Sequence, residues 1–249
     1  MLIQDTRAIV SGGASGLGLA VAELVVAAGG KVALFDVNDQ AGVDAVRKLG
    51  PAASFHKVDV TAESAVAAAV AAATTAMGGL NLAVSCAGVG WPKRMVGKEG
   101  TMPGDFFRKV IEINLVGTLL LCKEAAAAMQ QNTPTAAGER GALVMTASVA
   151  AFDGQIGQVA YAASKGGVVG MTLPMARELA SSGIRVVTIA PGLFMTPMLA
   201  ALPEEARESL GKQVPFPPRL GQPAEYAQLV GQIVENPMLN GETIRLDGA

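Results

Sequence analysis

Tyr161 and Lys165 stand four residues apart in a stretch whose pattern predicts a helix over Tyr161–Ala180, so phenol and ammonium share a face. A tyrosine hydroxyl titrates at about 10 when unperturbed, and an adjacent ammonium stabilises the phenolate and lowers that value. Such a pair gives a proton to a carbonyl oxygen or takes one from an alcohol. Ser148, just past a predicted strand, is placed to hydrogen-bond the same oxygen. Asn114 falls inside a predicted long helix, where Asn is a mediocre former; a functional amide, a kink and a solvated polar face all account for it. Taken singly, Tyr-x-x-x-Lys also reads as an ordinary exposed helix pair, and Ser148 as an ordinary loop serine.

These residues need a scaffold, and the chain alternates strand and helix patterns with short links. Strands are expected at Arg7–Ser11, Lys31–Asp36, Ser54–Val58, Leu82–Ser85, Gly141–Ala147, Ile184–Ile189 and Glu242–Leu246. Helices are expected at Gly18–Ala28, Val43–Leu49, Ala62–Met77, Asp105–Gln130, Tyr161–Ala180 and Glu225–Glu235. Alternation of this kind implies parallel βαβ crossovers in an α/β fold. No repeat or linker interrupts it, so residues 1–249 are expected to form a single domain. Three loops break the rhythm: Gly90–Gly104, Gln131–Arg140 and Leu193–Pro223. The first and third follow the carboxyl ends of strands, where binding loops sit; both are expected to serve the substrate.

The run Ser11-Gly12-Gly13-Ala14-Ser15-Gly16-Leu17-Gly18 lies between the first strand and helix. Glycines there allow a tight turn and close approach of a pyrophosphate to the helix N-terminus; a flexible turn is the bland alternative. Asp36 ends the second strand, spaced to accept the hydroxyls of an adenine ribose and to repel a 2′-phosphate, although it also suits a turn before Asn38. The Gly loop holds no Arg or Lys, with Ser15 where a phosphate-binding base would sit, so NAD is expected over NADP. Asp59 and Val60 are placed to flank an adenine, Asp59 by its carboxylate and Val60 by its backbone N–H; Asp59 equally suits a helix cap. Cys86, Ala87 and Gly88 end the fourth strand at the switch point, where small residues let a cofactor ribose pass. Cys86 also reads as a plain core residue.

Composition narrows the class. The 249 residues are 51% hydrophobic and only 16% charged, with a net charge of −2. Disorder is excluded. The longest apolar run, Ala65–Ala73, is far short of the roughly 20 residues of a membrane span, so no membrane insertion is expected. No basic run supports nucleic-acid binding. His56 is the lone histidine, and Cys86 and Cys122 lack ligand spacing, so no metal site is expected. The N-terminus has no secretory pattern, and a cytoplasmic location is expected.

In order along the chain, Ser11-Gly-x-x-x-Gly16-x-Gly18, Asp36, Asp59, Cys86-Ala87-Gly88, Asn114, Ser148, Tyr161-x-x-x-Lys165 and Pro191-Gly192 resemble the short-chain dehydrogenase/reductase family over essentially the whole length. The resemblance implies an extended Rossmann fold, a doubly wound seven-stranded parallel sheet with helices on both faces. It also implies a catalytic tetrad of Asn114, Ser148, Tyr161 and Lys165. In the family's pattern Tyr161 is the acid/base and Ser148 positions the reacting oxygen, so both touch substrate. Lys165 binds the nicotinamide ribose, and Asn114 holds a water of the proton relay. A closer likeness, in GGASGLGLA, in GIRVVTIAPGLFMTP and in the final NGETIRLDGA, is to family members that act as NAD-dependent homotetramers on 3-hydroxyacyl-CoA. It implies that Ser15, Leu17, Asp36, Asp59, Val60, Cys86, Lys165, Phe194 and Thr196 contact NAD, beside Gly12, Gly16, Gly18, Ala87, Gly88, Tyr161, Pro191 and Gly192. Two departures from the family pattern are Ser11 for Thr and Ser85-Cys86 for Asn-Asn. In the 90–104 loop, Lys93, Arg94 and Lys98 are candidates for CoA phosphates and Trp91 for the acyl chain; solvated loop charges are the alternative. Reduction of 3-oxoacyl-carrier protein, oxidation of a steroid or other secondary alcohol, and a non-catalytic NAD-binding role are the competing functions.

Overall fold

Parallel strands covered on both faces need near-continuous apolar sequence, and this chain supplies it. The computed structural model describes residues 1–98, 100–200 and 203–249. In chain order the elements are β1 (Arg7–Ser11), α1 (Gly16–Ala27), β2 (Lys31–Asp36), α2 (Asp39–Leu49), β3 (Ala53–Lys57), α3 (Glu63–Met77) and β4 (Leu82–Ser85). There follow β5 (Val96–Gly97), β6 (Gly100–Thr101), α4 (Gly104–Ile111), α5 (Gly117–Met129), β7 (Gly141–Thr146), α6 (Val159–Leu179) and β8 (Ile184–Pro191). The last are α7 (Pro197–Ala200), α8 (Glu204–Gly211), α9 (Pro223–Glu235) and β9 (Thr243–Leu246).

Seven strands pair in parallel in the order β3-β2-β1-β4-β7-β8-β9. The order reverses between β1 and β4, which opens a crevice at the carboxyl ends where such sheets bind ligands. Successive residues of β1 feed opposite layers. Ile9 packs with Val66, Leu121 and Val168 of α3, α5 and α6. Ala8 and Val10 pack with Val21, Val25 and Val230 of α1 and α9. All eight residues of β8 are buried, as a strand sandwiched between helices requires. This is the doubly wound, extended Rossmann architecture that the family resemblance implies, with the parallel crossovers expected from the alternation. Among the described residues no helix is long and apolar enough to cross a membrane.

Several boundaries differ from expectation, each for a local reason. The single helix expected over Asp105–Gln130 is two helices joined by a π-helical turn, Glu112–Val116, in which the Gly117 N–H reaches back to the Glu112 carbonyl. The 193–223 loop contains α7 and α8; α8 follows Pro203 with Glu204 and Glu205 in its first turn, where the helix dipole favours them. The 90–104 loop folds back as the β5–β6 hairpin. Helix α2 starts four residues earlier than expected because the Asn38 side chain accepts from the Ala41 N–H. Helix α1 starts at Gly16 rather than Gly18.

Candidate active site

The crevice over the β1–β4 reversal is a cavity of about 920 Å³. One end of it is made by three glycines with distinct tasks. Gly12 takes φ +62°, and a Cβ there would lie 2.8 Å from the Ala87 nitrogen. Gly16 takes φ +53°, and a Cβ on Gly18 would lie 2.3 Å from the Gly12 carbonyl oxygen. No other residue allows this turn to press against the end of β4. Ser11 Oγ fixes that contact by accepting from the Ala87 N–H at 3.3 Å. Ser15, before α1, makes no side-chain cap bond, so the first amides of α1 face the cavity unspent.

Beside this loop, Asp36 serves the turn before Asn38, the alternative use expected of it. Its Oδ2 accepts from Ala14 N at 3.2 Å and its Oδ1 from Asn38 N at 3.0 Å, while the residue lines the cavity. Asp59 spends Oδ1 on the Thr61 N–H and hydroxyl, closing a turn rather than capping α3, whose N-cap is Ala62, and also lines the wall. Val60 is buried there, its Cγ2 only 2.7 Å from where a Cβ on Gly117 would stand. Gly12, Ser15, Gly16, Leu17 and Gly18 share this wall with Cys86, Ala87 and Gly88, and so do Pro191, Gly192, Phe194 and Thr196 on the β8 side.

Ser148, Tyr161 and Lys165 face the cavity together beyond Gly88. Ser148 Oγ accepts from the Ala150 N–H at 3.1 Å and caps a short 3₁₀ turn, which fixes its hydroxyl at the end of β7. Tyr161 and Lys165 occupy the first two turns of α6. The Lys165 ammonium donates to the Thr146 carbonyl at 2.7 Å and lies 5.9 Å from the Tyr161 ring centre. Burial lowers Lys165 to about 8. The Tyr161 phenol is raised by its burial, and the Ser148 hydroxyl draws it part of the way back. The expectation that Lys165 depresses Tyr161 is therefore corrected for the free protein: desolvation of the phenol wins and holds it above its ordinary value.

Asn114 is brought to the site but stands behind its wall. Fully buried at the π-helical turn, it exchanges two hydrogen bonds with the Val89 backbone and donates to Ser164 Oγ at 3.0 Å. A Cβ on Gly88 would lie 3.1 Å from Asn114 Oδ1 and 3.6 Å from Lys165 Nζ, so Asn114 braces the loop that carries Gly88. Of the loop residues named from sequence, Trp91 lines the cavity, whereas Lys93, Arg94 and Lys98 do not. Lys93 sits 5.6 Å over the Phe106 ring instead. The cations on the rim are Arg108 and Lys109 of α4, with the Lys109 ammonium 5.7 Å over Trp91. Sequence reasoning missed them because they read as the polar face of an amphipathic helix. It also missed Thr146, which lines the cavity.

The family model for the short chain dehydrogenases matches residues 6–207. The chain belongs to the short-chain dehydrogenase family. It is 52% identical over 249 residues to 3-hydroxyacyl-CoA dehydrogenase type-2 of Homo sapiens, covering 99% of this chain and 95% of that protein. It is 51% identical to the protein of the same name from Drosophila melanogaster, covering 100% of this chain and 98% of that one. Among solved structures, 3-hydroxyacyl-CoA dehydrogenase type-2 from Mycobacterium avium superposes with a TM-score of 0.93 at 43% identity, covering 99% of this chain and 96% of that one. This short-chain dehydrogenase is thus an oxidoreductase of a typically nicotinamide-dependent family. The Gly12–Gly18 cradle, which a Cβ would fill, fits such a dinucleotide.

Proposed function

We propose that this short-chain dehydrogenase interconverts 3-hydroxyacyl-CoA and 3-oxoacyl-CoA with NAD. The observation that carries the reading is a single cavity joining the Asp36 carboxylate, the Ser148–Tyr161–Lys165 cluster and a rim of Trp91, Arg108 and Lys109. Asp36 favours a free ribose over a 2′-phosphate, and the names of the relatives supply the substrate class.

Bound nicotinamide would accept the hydride, with its electron pair, from the carbinol carbon. The protein manages the proton. Tyr161, as phenolate, takes the hydroxyl proton of the substrate and, as phenol, returns it to the carbonyl oxygen in the reverse direction. Ser148 holds that oxygen. Lys165, lowered to about 8 but still largely charged at neutral pH, keeps its ammonium 5.9 Å from the Tyr161 ring centre and serves the nicotinamide ribose. Asn114 braces the Gly88–Val89 backbone beside them and is the residue we assign to the relay water. Gly12, Ser15, Gly16, Leu17 and Gly18 hold the pyrophosphate and Asp36, Asp59 and Val60 the adenosine. Cys86, Ala87, Gly88, Pro191, Gly192, Phe194 and Thr196 enclose the nicotinamide half. We further assign the enzyme to a cytoplasmic homotetramer; the exposed Leu119 of α5 and Leu173 of α6 support an assembly.

Arg108 and Lys109 take the CoA phosphates in this reading. The test compares acetoacetyl-CoA with a truncated acetoacetyl thioester that lacks the nucleotide. Arg108→Ala/Lys109→Ala is expected to raise KM for the CoA ester about tenfold and leave the truncated ester within about twofold, since two charge-assisted contacts are lost only by the former. Equal effects on both esters would remove the CoA assignment.

A further inference from the structure

We propose that Tyr226 of α9 is a positioning residue for the Lys165–Tyr161 centre and that it acts through Thr146. The proposal rests on the reading of Lys165 and Tyr161 as the catalytic pair. Tyr226 approaches from the face of the sheet opposite α6 and is fully buried, one of the largest side chains in the core. Its hydroxyl lies 2.7 Å from Thr146 Oγ1. Thr146 Oγ1 donates to Cys86 Sγ at 3.5 Å, and the Cys86 thiol points back to the Tyr226 oxygen at 3.8 Å. The three groups close a ring, complete when the Tyr226 hydroxyl donates to Thr146 Oγ1.

That ring fixes the residue whose carbonyl accepts the Lys165 ammonium at 2.7 Å. Thr146 is the last residue of β7, still paired with Ile189 of β8 but one past the last pair with β4, Ser85–Met145. A buried tyrosine needs a partner for its hydroxyl, and a serine or water would serve in an inert core. Here the partner is the wall of the site: Thr146 and Cys86 both line the cavity. The titratable groups facing Lys165 are Tyr161 on its own helix, Cys86 at the end of β4 and, behind Thr146, Tyr226; Asn114 faces it as a neutral amide across Gly88. Among the described residues no carboxylate acts on Lys165, so the Thr146 carbonyl is the dipole that anchors the ammonium. Displacing Thr146 moves that charge relative to the phenol and changes how readily Tyr161 ionises.

The test is the pH profile of kcat/KM for oxidation of 3-hydroxybutyryl-CoA with NAD by the full-length enzyme, in Tyr226→Phe, Thr146→Val, the double variant and Lys165→Met. Tyr226→Phe is expected to lower kcat by about three- to tenfold and to move the ascending limb upward by about half to one pH unit, the scale of one lost hydrogen bond. KM for NAD should stay within about twofold. Thr146→Val should reproduce the shift, and the double variant should add little, as members of one network do. A lowered melting temperature with the limb of the parent enzyme would mean a purely structural tyrosine and overturn the proposal. If Tyr226→Phe does not fold, an unmoved limb in Thr146→Val overturns it alone. Parental activity in Lys165→Met would sink the catalytic reading and this proposal with it. An inactive Lys165→Met beside a parental profile in both Tyr226→Phe and Thr146→Val would sink this proposal only.

Discussion

The Asp36 carboxylate is tied to the glycine loop through the Ala14 N–H at 3.2 Å, so one side chain couples the end of β2 to the turn before α1. In the proposed function its charge lines the cavity and disfavours a 2′-phosphate. Asp36→Ala should lower kcat/KM for NADH by about tenfold to a hundredfold, the scale of a charge-assisted hydrogen bond, and narrow the gap to NADPH. Steady-state rates with both cofactors check this; an unchanged NADH/NADPH ratio would contradict it.

Tyr161→Phe removes the acid/base and keeps the ring. Turnover should fall by about a thousandfold or more, within the range of general acid–base effects. NADH affinity, read by fluorescence titration, should change by less than about twofold. Residual activity near that of the parent enzyme would exclude the phenol from the proton path.

Lys165 carries a pH signature in the free enzyme. Burial puts its folded value at about 8, below the 10.5 of an unperturbed lysine. Between these values the unfolded chain holds a proton that the folded chain lacks, so stability rises with pH across that window. Below about 8 both states are protonated and the desolvation cost is felt in full. Relative to Lys165→Met, unfolding free energy should therefore rise by about 1.4 kcal/mol per pH unit from pH 8 to 10.5 and be flat below. The comparison with the variant cancels the opposite drift from Cys86 and Cys122, whose thiols burial pushes up. Denaturant titrations at pH 7, 8.5 and 10 measure the slope; a constant difference would contradict it.

Arg185 shows how α9 is held while its other end serves the site. Buried, it pairs with Glu139 at 2.7 Å and donates to the carbonyls of Ile233, Val234 and Leu239. Removing one partner of a buried pair leaves the other uncompensated. Arg185→Leu should destabilise the fold by about 3–5 kcal/mol, measured by urea unfolding, and a loss below about 1 kcal/mol would contradict this role.

The fold was legible because buried parallel strands and their helices differ in period and length, and the Gly loop, Asp36 and Tyr161-x-x-x-Lys165 announce themselves by spacing. Asn114 was legible as an oddity, but not the π-helical turn around it: one extra residue in a helical turn leaves no compositional mark, and the Val89 backbone that Asn114 bonds is 25 positions away. Arg108 and Lys109 hid because exposed cations on a helix are commonplace; only the cavity singles them out. Tyr226 sits in an ordinary amphipathic helix, and its meaning comes from a contact 80 positions distant in the chain. Helix α8 was hidden by the prolines that bracket it.

The most direct test of the account is the rate of NADH consumption by the purified protein with acetoacetyl-CoA, run beside NADPH. Fast turnover with NADH and little with NADPH is the predicted result. Absence of turnover with either, in a protein that binds NADH, would contradict the acyl-CoA assignment and leave only the short-chain dehydrogenase scaffold.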